Sequence, residues 1–165
     1  MEQLPDFWRT EVFHPLSVHF PIGLLITGFL FKIISLKYKR EVWSEGSFIL
    51  LLIGTVGLWI AIYTGELADG IVSRKLCDPT VLKDHQNLAY TCAWLFTSAF
   101  TLESIARYNL VNLRIKSITL NWLSTILMSC GVLVLGYVGH LGATLVYQQG
   151  AGTYQPSADC SEFVE

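Results

Sequence analysis

The sequence predicts an all-α protein, an integral membrane four-helix bundle with both termini on the outer, periplasmic side. Three observations carry the prediction. Of 165 residues, 52% are hydrophobic and only 15% charged, and the mean hydropathy is +0.48. The apolar residues fall in four blocks, roughly 15–38, 47–70, 85–108 and 117–147, and a bilayer-spanning helix needs about 20 such residues. The stretch 48–62 has no polar face at helical spacing, which a soluble bundle would require. The expected organisation is an interfacial segment 1–13, a transmembrane domain 14–150 and an acidic tail 151–165 in the periplasm. The first apolar block has no basic stretch before it and no small-residue cleavage site after it, so it is expected to stay as a span.

Orientation follows from Lys and Arg near the span ends. Seven basic residues (Lys32, Lys37, Lys39, Arg40, Arg107, Arg114 and Lys116) fall on the side of the first and third loops. Four (Arg9, Arg74, Lys75 and Lys83) fall on the side of the termini, with ten of the thirteen acidic residues. That places the termini outside. No basic stripe points to nucleic acid.

The first span opens His14-Pro15-Leu16-Ser17-Val18-His19-Phe20-Pro21. Pro15 suits a first helical turn, and Pro21 frees the Ser17 carbonyl and predicts a kink. His14 and His19, five residues apart, differ by about 140° around the helix and about 7.5 Å along it, so they do not serve one partner from one face. The second span carries Gly54 and Gly57, a close-packing pair, and ends at Glu66, whose carboxylate can accept a histidine N–H and fix its tautomer. Asp78-Pro79 reads as a turn, and Asp84 as the N-cap of a third span in which His85 comes first. Glu103 and Arg107, at i and i+4, are expected to pair. The fourth span contains Gly136-Tyr137-Val138-Gly139-His140-Leu141-Gly142-Ala143. Gly136 and Gly139 leave a notch beside His140 that can admit a flat macrocycle or a neighbouring helix.

Cysteines add little chemistry. Cys92 and Cys130 lie mid-span and read as small hydrophobes. Cys77 and Cys160 both fall on the outer, oxidising side, where a disulfide between them is a candidate. No C-x-x-C-H occurs, so covalent haem attachment is not expected.

The four histidines all fall in the outer half, and an ionisable side chain in a membrane marks a functional site by default. Two chemistries fit. One is non-covalent haem b held by two imidazoles between facing helices. His19 with His140 is the first pairing and His14 with His85 the second, with Phe20, Tyr63, Tyr137 and Tyr147 available to line the macrocycle. The other is a Cu, Zn or Fe ion held by three or four histidines with Glu66 or Asp84. A scaffold role, with the histidines only bridging helices, is the alternative without a cofactor. On the haem reading the protein is an electron-transfer subunit more than a stand-alone enzyme. Its partners would be the lipid bilayer, other membrane subunits of a respiratory or photosynthetic complex, and a periplasmic cytochrome c or quinol.

Four motifs bear on family. His14-Pro15-x-x-Val18-His19-Phe20-Pro21-Ile22-Gly23, Thr64-Gly65-Glu66-Leu67-Ala68, Asp84-His85-x-x-Leu88-Ala89 and Gly139-His140-x-Gly142-x-x-Leu145-Val146-Tyr147-x-x-Gly150 together resemble the bacterial four-span membrane family filed as domain of unknown function 2231. The resemblance runs over about residues 13–150. It implies a multipass inner-membrane protein, sometimes joined to or encoded near cytochrome-like modules, and marks the four histidines as the functional set. It implies no established reaction.

Overall fold

A computed structural model describes residues 8–38, 40–108 and 117–153. A 3₁₀ turn at Thr10–Val12 leads into α1 (Phe13–Lys37). Then come α2 (Glu41–Val72), a second 3₁₀ turn (Ser73–Lys75), α3 (Pro79–Tyr108) and α4 (Ser117–Gln149). The helices of 25 to 33 residues are about 38 to 50 Å long. Three stretches, Thr10–Lys37, Glu41–Lys75 and Ser117–Gln149, are long and apolar enough to cross a membrane. The third expected block is less apolar than the others. α3 is as long as its neighbours, but Lys83–His85 at one end and Glu103 and Arg107 at the other shorten its apolar centre.

Helix ends follow local chemistry. α3 starts at Pro79, six residues before the expected His85. Asp78 is its cap. The Asp78 carboxylate accepts from the Thr80 hydroxyl at 2.6 Å and the Thr80 N–H at 2.9 Å, bonds that hold its pKa below the ordinary value. Pro79 then fills the first-turn position, where a missing N–H is harmless. Asp84, expected as the cap, is an exposed residue inside the helix. α4 ends where Gly150 turns left-handed at φ 69°, with the N–H groups of Gly150 and Ala151 folded back on the carbonyls of Val146 and Leu145.

α1 packs closely with α2, and α3 with α4. Further contacts of α2 with α3 and of α1 with α4 close the ring. In both hairpins side chains enter glycine notches. Pro21 lies on Gly57, Leu25 on Gly54 and Leu50 on Gly28 across the first, and Phe96 lies on Gly131 across the second. The pair Gly54 and Gly57 thus serves close packing, as expected. Leu25, Leu51, Cys92, Ala93, Phe96, Ala99 and Met128, none of them exposed, join in the centre. A Cβ on Gly54 would stand 2.7 Å from Leu25 Cδ2, whereas one on Gly136 would meet nothing within 4 Å. Gly54→Val is therefore expected to lose about 1–3 kcal/mol through overpacking. Gly136→Ala, at an open helical position, should not lower the unfolding midpoint in a detergent titration followed by circular dichroism.

The bundle end opposite the termini holds a buried ion pair. Lys32 Nζ lies 2.9 Å from Glu103 Oε2, with the side chains 3% and 7% exposed. Lys32 also donates to Asn121 Oδ1 at 2.5 Å. Ser124 Oγ donates to the Ala99 carbonyl at 3.0 Å and to Glu103 Oε2 at 3.3 Å. Two expectations change here. Glu103 does not pair with Arg107, whose guanidinium reaches Glu45 and Ser44 of α2 instead. Lys32 does not belong with the loop charges, because it points into the core.

Candidate functional site

The other end, which carries the termini, brings His14 and His85 together. Their ring centroids are 6.2 Å apart with the planes at 87°. Each ring is held in the same way. His14 Nδ1 donates to the Ala61 carbonyl of α2 at 2.9 Å, and His85 Nδ1 to the Val138 carbonyl of α4 at 3.1 Å. One turn beyond each carbonyl stands a glycine against the imidazole. A Cβ on Gly65 would come within 3.1 Å of His14, and one on Gly142 within 3.3 Å of His85. The two hairpins thus repeat one device: an imidazole early in the first helix, with a carbonyl at i and a glycine at i+4 on the second.

The device sets the tautomer. A carbonyl oxygen only accepts, so Nδ1 carries the hydrogen in each neutral ring and Nε2 keeps its lone pair. Backbone carbonyls commonly orient metal-binding histidines in this manner. A metal–imidazole bond of about 2.0 Å, with the ring centre roughly 1.1 Å behind its nitrogen, places two rings across one ion about 6 Å apart. The centroid spacing of His14 and His85 matches that distance, and among the described residues no hydrogen bond occupies either Nε2.

The remaining candidates lie elsewhere. His19 is exposed, one turn deeper than His14, and its Nδ1 donates to the Pro15 carbonyl at 2.6 Å. His140 is exposed on the outer face of α4 and stacks on Tyr137 at 6.2 Å. Among the described residues no hydrogen bond or ring contact joins His19 to His140, because they sit on outward faces of their helices. The expected notch at Gly136 and Gly139 opens outward and touches nothing. Gly142, in the same motif, and Gly65 are the glycines that receive an imidazole. Phe20, Tyr63, Tyr137 and Tyr147 all face outward. The Glu66 carboxylate accepts from the Tyr90 hydroxyl and not from a histidine, and Asp84 is exposed. Among the described residues, no three His, Cys, Asp or Glu side chains gather as a metal-ligand group. Cys77 is exposed before α3, and its candidate partner Cys160 lies outside the described residues. Cys92 is buried, its thiol directed at the Gly131 carbonyl, whereas Cys130 is exposed.

Fold and site together define a helical membrane protein with an imidazole pair at one end of its bundle and an ion pair inside the other. The chain belongs to the family described as predicted membrane protein, domain of unknown function 2231, which matches residues 11–155. That span takes in both histidine-bearing hairpins. No curated protein and no solved structure matches the chain.

Proposed function

We propose that this protein is a four-span subunit of a bacterial inner-membrane complex that holds haem b through His14 and His85 and takes part in electron transfer. The observation that carries the reading is the paired imidazoles, 6.2 Å apart and each fixed through Nδ1. Bound haem would supply one-electron exchange. The chain's own part is to present two neutral Nε2 lone pairs from separate hairpins and to hold both rings in orientation. The pair His14 and His85 is preferred over His19 and His140 because only the former rings meet. Three or four histidines around a small ion are disfavoured by the outward positions of His19 and His140.

On this reading α3 is the fourth span, flanked in the bundle by α2 and α4. Lys37, Arg40 and Arg107 at the loop end support termini in the periplasm, a count from which the buried Lys32 drops out. A larger assembly is supported by the outer face of α4, where Leu133 is 75% and Tyr147 86% exposed beside His140. An imidazole turned to lipid is costly unless something covers it.

A reduced-minus-oxidised absorption spectrum of the purified full-length protein tests the reading. Sharp α and Soret bands at about one haem per chain are expected. A colourless, metal-free preparation overturns the reading and leaves the scaffold role, which the glycine-notch packing of both hairpins would support. A colourless preparation that carries metal points to an ion bridging the same two rings. Within the haem reading, Gly142→Leu is expected to displace the His85 ring and reduce haem retention, while Gly139→Leu keeps it.

A further inference from the structure

The ion pair of Lys32 and Glu103 is far from the histidines and plays no part in holding haem. Burying two charges inside a bundle is expensive, and an apolar pair of similar volume would often be as stable. Ionisable side chains inside a membrane accordingly tend to be functional. Two features give this pair a direction. On the loop side, Glu103 and Asn121 line a crevice of about 380 Å³ together with Ser44, Ala106, Arg107, Ser117 and Ile118. Toward the histidines the core is closed by Leu25, Leu51, Phe96, Cys92 and Met128, all at 0% exposure. Each of these lies between the two sites along its own helix. The carboxylate therefore has a crevice of mixed lining on one side and a fully buried apolar plug on the other.

We propose that Glu103, paired with Lys32, is a proton-binding site that exchanges with water at the loop end of the bundle only. A proton from the crevice adds to a Glu103 carboxylate oxygen, and the pair goes from no net charge to one positive charge. The Lys32 ammonium keeps its bond to the Asn121 carbonyl oxygen throughout. The groups facing Glu103 are Lys32 from α1, Asn121 and Ser124 from α4, and Arg107 one turn on along α3, itself held by Glu45 and Ser44 of α2. Uptake is thus set by the ion pair and does not depend on haem.

Dicyclohexylcarbodiimide reacts with protonated carboxyl groups in apolar surroundings and tests the site in the full-length protein in detergent. Across a pH series, peptide mass spectrometry should find the adduct on Glu103, increasing as pH falls. The adduct should be lost in Glu103→Gln, and in Lys32→Met it should persist to higher pH. Ser117→Trp, which narrows the crevice, should slow the labelling severalfold. Failure to label wild-type Glu103 at any pH at which circular dichroism reports a folded protein overturns the proposal. So does labelling with the same pH dependence in Lys32→Met. Both results would leave a fixed ionic clamp. The wild-type measurement decides the matter even if a variant does not fold.

Discussion

Lys32→Ala is expected to cost about 3–5 kcal/mol of stability, because it leaves the Glu103 carboxylate buried without its partner. The geometry supports the upper part of that range. Glu103 is 7% exposed at its side chain, and its remaining side-chain partner is the Ser124 hydroxyl, which carries no charge to replace the ammonium. Glu103→Ala should be comparable, since it strands the Lys32 charge beside a single amide oxygen. The double replacement Lys32→Met with Glu103→Leu should recover most of the loss, because neither charge then has to be desolvated. A double-mutant cycle in detergent, read by the midpoint of dodecyl sulfate unfolding, measures the coupling. Arg107→Ala is the control. Its side chain is 21% and that of its partner Glu45 54% exposed, and a pair partly open to solvent contributes about 0–1 kcal/mol. If Lys32→Ala costs no more than Arg107→Ala, the pair is not buried as described.

If the protein holds haem as proposed, His14→Ala and His85→Ala are each expected to abolish its low-spin spectrum, whereas His19→Ala and His140→Ala should leave it intact. The first two replacements remove a ring nitrogen that would hold the iron and with it the hydrogen bond to the Ala61 or Val138 carbonyl. The other two remove rings that face outward. Absorption spectra and haem-to-protein ratios of the four variants decide between the pairings. Loss of the bands in His19→Ala and His140→Ala, with retention in His14→Ala and His85→Ala, would reverse the assignment. Circular dichroism of each variant separates a lost ligand from a lost fold.

The histidine end was legible in the sequence only in part. The shared end was readable, but the finer depth was not: His140 was expected level with His19, below His14 and His85, whereas Val138 and Gly142 of α4, which hold His85, flank His140. Nor was azimuth. A glycine-rich surround made His140 look like the ring in a notch, yet Gly136 and Gly139 open outward while Gly142 faces in. The signal that could have found the pair was present as Thr64-Gly65 and Gly139-His140-x-Gly142, one inward glycine opposite each inward imidazole. It becomes a signal only once the antiparallel register sets His14 against Gly65 and His85 against Gly142. Lys32 and Glu103 were misread for a related reason. Both lie near span ends, where a charge normally reaches water, and no local rule says that these two turn toward each other.

What the sequence by itself determined is the number and order of the helices and the end of the bundle at which the histidines gather. Hydropathy summed over about 20 residues answers those questions without knowing which side of a helix faces in. Only the tertiary structure decided which imidazoles meet and which charges pair. The physical reason is that these helices are apolar nearly all round, so no polar stripe marks an outward face. Their rotation is set instead by where Pro21, Leu25 and Phe96 find a glycine to pack against.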